Sequence, residues 1–176
     1  RIGWKDIEYT VNWPGRSLDR IRWLGVDLIL SAAHNSESLA HDLGRLASQR
    51  HVLVVGMTQK DDLSESIEPL LNHGRRIQTI VTEVHGGRNP SVPLGQLSER
   101  LTNQSGSPPL LISDPIDAID KASKLAREEG CIVFVTGSVY LVGRAIEEIV
   151  TREKLSLWEY LRAHTPADSG RGYSEM

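Results

Sequence analysis

Residues 28–35 read LILSAAHN. An apolar run stops, small residues follow, and a histidine and an asparagine close the stretch. Ala32 and Ala33 allow a tight turn, so Ser31, His34 and Asn35 bring hydrogen-bonding groups to the end of a buried segment. Imidazole accepts, donates or carries charge near neutral pH, which suits it to an anionic ligand. Three further stretches end the same way. VLVVGMTQKDD (52–62) delivers Lys60 and Asp61, the segment after Ile77–Val81 delivers Thr82 to Arg88, and VTGSVYLVG (135–143) delivers Ser138 and Tyr140. A fourth run, Leu110–Ile112, leads into Ser113 and Asp114. Small and polar residues thus collect wherever an apolar run stops, the composition a phosphate or nucleotide site needs.

Local readings stand beside the functional ones. Asn35 or Ser36 serves equally as a helix cap. His34 alone reads as a hydrogen-bonding surface residue. Thr136-Gly137-Ser138 reads as a strand-to-helix turn, and Lys60, Asp61 and Asp62 as a solvated helix start, where the helix dipole favours acids.

The elements that position these residues follow from periodicity. The runs Val26–Leu30, Val52–Val55, Ile77–Val81, Leu110–Ile112 and Cys131–Val135 are nearly continuous in apolar residues, as in parallel strands covered on both faces. Helical spacing links Leu39, Leu43 and Leu46 (36–50), then Leu63, Ile67, Leu70 and Leu71 (61–73), then Ile116, Ile119, Ala122 and Ala126 (115–129), and finally Leu141 to Ile149. The third of these has Asp114 to cap it, Pro115 in its first turn and Gly130 to end it. Alternating strands and helices with short loops imply right-handed crossovers. The fold expected is α/β: a Rossmann-like sandwich with a mostly parallel sheet of about six strands, flanked by helices on both faces. Ligands of such sheets collect at the carboxyl ends of the strands, where the polar residues fall. Before this lies a different region, with a strand over Ile7–Trp13, a WPGR turn and a short extended piece over Leu18–Trp23. The tail after Thr165 is rich in Pro, Gly and Ser and reads as loose.

Composition narrows the function. The chain has 176 residues and a formal net charge of -3, so it carries no strong field for nucleic acid or membrane. A single cysteine, Cys131, gives no disulfide framework and no cysteine-rich metal site. No apolar stretch approaches the roughly 20 residues that span a bilayer, and no signal peptide is read, so a cytoplasmic setting is expected. The chain begins with Arg rather than Met, as a fragment or processed product would. No G-x-x-x-x-G-K-[ST] loop, GxGxxG, HExxH, paired CxxC or G-x-S-x-G is present, which argues against a stand-alone ATPase, a zinc enzyme or a serine hydrolase.

Four stretches in order, Trp13-Pro14-Gly15-Arg16, LILSAAHN, VLVVGMTQKDD and VTGSVYLVG, resemble the C-terminal domain of folylpolyglutamate synthases and dihydrofolate synthases of the Mur ligase superfamily. The resemblance covers about residues 7–150. It implies an ATP-dependent amide ligase that joins glutamate to a folate or dihydropteroate, whose carboxylate ATP first phosphorylates. It also implies a separate N-terminal ATPase domain carrying the P-loop and the Mg2+ ligands. Residues 1–165 would then be a Mur ligase C-terminal-like domain, with 1–23 as entry strands and WPGR turn, and 166–176 a flexible tail.

Residue by residue, the resemblance gives Arg16 to the ATP phosphates across the domain cleft and His34, with Asn35, to the nucleotide. Lys60 and Asp61 support the site. Ser138 and Tyr140 stand on the folate or glutamate side, and Arg88 takes an arginine's part in the HGGRNPSVP loop. The sequence departs from the pattern at three places: Ser31 stands where the family has aspartate, leaving a hydroxyl for a ribose, Ala32 stands where it has glycine, and Asn89-Pro90 interrupts the arginine loop. Two alternatives remain, a Mur-type ligase with another substrate and a non-catalytic nucleotide-binding relative.

Overall fold

The computed structural model describes residues 20–46, 49–71, 75–102, 107–156 and 159–160. The strand expected over Ile7–Trp13, the WPGR turn with Arg16, and the tail after Thr165 lie outside the described residues. The chain enters as a hairpin, β1 (Arg20–Trp23) and β2 (Val26–Leu30). Leu24 and Gly25 join the strands with φ of 45° and 85°, the doubly positive pair that two-residue hairpins favour. Then follow α1 (Ser36–Leu46), β3 (His51–Val55), α2 (Leu63–Leu71), β4 (Arg76–Val81), α3 (Leu94–Leu101), β5 (Leu110–Leu111), α4 (Pro115–Glu129), β6 (Ile132–Thr136) and α5 (Val139–Glu153).

The six strands form one sheet in the order β1-β2-β6-β3-β4-β5. Only β1 is antiparallel, to β2; the other pairs are parallel. The chain steps outward from β2 through β3 and β4 to β5, then returns to place β6 between β2 and β3. Crossovers of one hand put the helices of the outward steps on one face and that of the return step on the other. The core divides accordingly. Leu28, Leu30, Val52, Val54, Val133 and Val135 pack under α4 and α5. Their alternating neighbours Ile29, Leu53, Val55 and Phe134 pack under α1, α2 and α3. Each strand residue between them is buried, which is why these runs lack the polar alternation of a one-sided sheet.

Helix α4 has the ends its sequence requires. The Asp114 carboxylate accepts from the amides of Ile116 (2.8 Å) and Asp117 (3.0 Å), and Gly130 closes the helix at φ 60°. Other expectations shift. Gln49 and Arg50 lie outside the first helix, and the second begins at Leu63 rather than at 61. The run Leu110–Ile112 is only a two-residue strand with both leucines exposed, because it sits at the open edge of the sheet. Helix α3 was not expected: it has eight residues, only Leu97 and Leu101 are buried, and prolines precede it.

Candidate functional site

Strands β2, β6 and β3 are neighbours, and their carboxyl ends release loops in different directions. The β2 and β3 loops run to α1 and α2 on one face; the β6 loop runs to α5 on the other. A sheet opens a crevice where consecutive loops part in this way. Here it is a cleft of about 160 Å³. His34 enters it from the β2 loop, Thr58 and Lys60 from the β3 loop, and Gly137, Ser138 and Tyr140 from the β6 loop.

Gly137 lines the cleft, and Gly56 packs against it. Gly137 has φ 102°, and a Cβ there would lie 2.7 Å from the Gly56 carbonyl oxygen. A Cβ on Gly56 would lie 2.8 Å from the Thr82 carbonyl oxygen. Only bare backbone lets three strand ends approach this closely.

His34 is exposed, and its Nδ1 lies 2.9 Å from the Ala32 carbonyl oxygen. A carbonyl only accepts, so Nδ1 carries the proton and the neutral ring keeps its lone pair on Nε2. Lys60 Nζ donates to the His34 carbonyl oxygen, tying the β3 loop to the β2 loop across the end of β6. Burial lowers the Lys60 pKa, and the charge of Asp62 partly restores it. Two N–H donors of the ammonium remain for other partners. Ser138 caps α5: its Oγ accepts from the Tyr140 amide at 3.2 Å, and the N-terminus of a 15-residue helix opens on the cleft. The ammonium and the helix N-terminus suit a phosphate group, and the Nε2 lone pair beside them suits a hydroxyl or amino donor of the same ligand. Val139 (53% exposed) and Tyr140 (39% exposed) add an apolar and aromatic rim.

Other candidates are placed elsewhere. Ser31 is wholly buried, and its Oγ donates to Asp42 Oδ2 at 2.6 Å, so its hydroxyl faces the core rather than a ribose. Asn35 caps α1, its Oδ1 accepting from the Ser38 amide at 2.9 Å and the Ser38 hydroxyl at 2.7 Å. Asp61 is exposed and lines an adjoining, wide polar groove with Asp62, Asn89 and Arg100, Lys60 standing between the groove and the cleft. Arg88 is exposed on the loop after β4 and lines neither depression. Arg16 lies outside the described residues.

The loop that carries Arg88 is pinned beside the cleft. Gln59 N donates to the Pro90 carbonyl (2.8 Å), Val92 N to the Met57 carbonyl (2.8 Å), and Asn89 Nδ2 to the Gln59 carbonyl (2.9 Å). Asn89-Pro90, an interruption in the sequence pattern, is thus part of the attachment. Sequence reasoning missed Asp42. The signal was available: an acid placed between Leu39 and Leu43 on the apolar stripe of α1 has to be buried.

No family profile and no curated protein matches the sequence. Solved structures do match. The folylpolyglutamate synthase of Mycobacterium tuberculosis, complexed with ADP and AMPPCP, is similar at TM-score 0.64 and 23% identity, over 77% of this chain and 32% of that one. The chain has the fold of a folylpolyglutamate synthase domain. Escherichia coli FolC, in complex with DHPP and ADP, is similar at TM-score 0.61 and 23% identity, over 80% of this chain and 32% of that one. The folylpolyglutamate synthase of Thermotoga maritima is similar at TM-score 0.61 and 25% identity, over 86% of this chain and 33% of that one. The chain therefore spans about a third of the length of the folylpolyglutamate synthases it matches.

Proposed function

We propose that the chain is the C-terminal domain of an ATP-dependent amide ligase that adds L-glutamate to a folate or dihydropteroate. The observation that carries this reading is the convergence of His34, Lys60 and the N-terminus of α5 at the crevice between β2, β6 and β3, in a fold shared with folylpolyglutamate synthases. In the reaction, an acceptor carboxylate oxygen attacks the γ-phosphorus of ATP and ADP leaves. The amine of glutamate then attacks the acyl carbon, phosphate departs, and the amine gives up a proton.

The part of this chain is electrostatic. The Lys60 ammonium meets the nucleotide phosphates, the α5 amides add partial positive charge, and His34 Nε2 accepts from a hydroxyl or amino group of the nucleotide. Ser138 and Tyr140 face the acceptor side. Arg16 is assigned to the ATP phosphates, where a guanidinium grips two oxygens at once. Mg2+ does not fit the cleft. It takes oxygen ligands, chiefly carboxylates and phosphates, and none of the described residues that line the cleft carries a carboxylate. Its protein ligands, like the P-loop, are assigned to a preceding ATPase domain of the same polypeptide.

The test is ADP release by the complete polypeptide with ATP and glutamate, with dihydropteroate in one reaction and reduced folate in another. Release that requires glutamate and one acceptor supports the ligase and names its branch. Folded protein that releases none with either acceptor overturns it and favours a Mur-type substrate or a non-catalytic relative.

A further inference from the structure

A polar cluster lies directly beneath the cleft. Asp42 sits on the buried stripe of α1 and is 8% exposed. A carboxylate in that setting is costly unless hydrogen-bonded. Its Oδ2 accepts from Ser31 Oγ at 2.6 Å, a short charge-assisted bond, while His41 Nδ1 reaches Oδ1 from the solvent side at 3.1 Å.

That bond sets the direction of those above it. A hydroxyl has one proton, and Ser31 gives it to Asp42, so toward its other neighbours Ser31 Oγ can only accept. It accepts from the Ala33 amide at 3.2 Å, and Thr136 Oγ1 lies 3.2 Å away. The Ala33 N–H and the Ala32 carbonyl belong to one peptide unit. That unit is planar and trans, so the two groups point in opposite directions. Drawing the N–H down to Ser31 turns the carbonyl up, where His34 Nδ1 donates to it at 2.9 Å. A carboxylate eight positions along the chain from the imidazole thereby reaches it through one hydroxyl and one peptide plane.

We propose that Asp42 is a positioning residue for His34: acting through Ser31 and the Ala32–Ala33 peptide, it holds the imidazole in its Nδ1–H tautomer and leaves Nε2 as the acceptor at the cleft. The catalytic consequence rests on the ligase reading, whereas the tautomer does not.

The experiment is long-range nitrogen–proton NMR of the imidazoles at pH above their titration, in the 176-residue chain, with His34 assigned by its loss in His34→Gln. The unsubstituted chain should show His34 mainly as Nδ1–H. In Asp42→Leu the ratio of Nε2–H to Nδ1–H should rise about threefold to tenfold, the effect of losing one net hydrogen bond. Asp42→Asn, which keeps an acceptor for Ser31, should retain the Nδ1–H form. Ser31→Ala removes the middle of the relay and should shift the ratio as Asp42→Leu does; it replaces that variant if Leu at 42 fails to fold. Folded Asp42→Leu or Ser31→Ala with an unchanged ratio overturns the proposal. In the complete polypeptide, Asp42→Leu should also raise the ATP KM several-fold while kcat stays within about twofold, as expected for lost ligand binding. If the unsubstituted polypeptide releases no ADP, the ligase reading fails, and the NMR ratio still decides the role of Asp42.

Discussion

Replacing Gly137 with alanine should damage the protein more than the loss of any single surface contact. Two costs add at this position. The backbone has φ 102°, a region an L side chain rarely adopts, and the new Cβ would lie 2.7 Å from the Gly56 carbonyl oxygen and 3.0 Å from Val55 Cγ2. Backbone strain of this kind costs about 1–3 kcal/mol, and overpacking a tight site costs a similar amount. The carbonyl belongs to a paired strand end and cannot swing away as a flexible side chain would. A destabilisation of about 3–5 kcal/mol is therefore expected, which for a domain of this size lowers Tm by roughly 10 °C. Gly143 is the internal control. It lies within α5, and nothing stands within 4 Å of its missing Cβ. Gly143→Ala should stabilise the chain by about 0.5–1 kcal/mol, through helix propensity alone. Urea unfolding followed by circular dichroism measures both. Gly137→Ala within about 0.5 kcal/mol of the unsubstituted chain would refute the argument that bare backbone is required under the cleft.

Other substitutions test other parts of the account. Asp114→Ala removes the two-bond cap of α4 and should cost about 1 kcal/mol in urea unfolding; no loss would mean the cap is replaced by water. Trp23→Phe removes the indole bond to Asp120 (3.3 Å) and weakens the stacking of Arg152, whose guanidinium carbon lies 4.7 Å from the ring centroid. It should cost about 1 kcal/mol or slightly more, and an unchanged unfolding midpoint would count against this contact. Lys60 bears on pH. Burial lowers its pKa in the folded chain below the ordinary 10.5, so between the lowered value and 10.5 the unfolded chain binds more protons. Stability then rises with pH through that window. Lys60→Met should abolish this contribution to the rise, read as a flatter pH dependence of the urea midpoint; an unaltered slope would contradict the assignment to Lys60.

The sequence made the core of the sheet and the best-signalled helix plain. Short, nearly continuous apolar runs read as strands covered on both faces, which holds for β2, β3 and β6, and Asp114, Pro115 and Gly130 mark both ends of α4 in the chain itself. Helix α3 was obscured because no local signal holds it: it is two turns anchored by Leu97 and Leu101. Strand β5 was legible as an apolar run, but not its exposure, which follows from its place at the sheet edge beside β4. The site divides the same way. Strand ends drew attention to His34, Lys60, Ser138 and Tyr140, and the topology brings them to one cleft because β6 returns between β2 and β3. Ser31 and Asn35 share that strand end, but position along a turn does not fix direction. Alternate residues of the turn point oppositely, so Ser31 faces the core, while Asn35 is taken up by the first turn of α1. Asp42 was legible only as an anomaly, an acid on an apolar stripe, whose partner no sequence pattern names.

The central claim is that the cleft at the ends of β2, β6 and β3 holds a nucleotide, and His34 tests it most directly. His34 is exposed, so His34→Ala should leave folding intact. Measured as ADP release by the complete polypeptide, the ATP KM should rise about fivefold, the loss of one hydrogen bond that Nε2 accepts from the nucleotide, with the glutamate KM unchanged. An ATP KM equal to that of the unsubstituted enzyme, in protein of unchanged stability, would remove the nucleotide from this cleft and return His34 to the role of a surface residue hydrogen-bonded to its own loop.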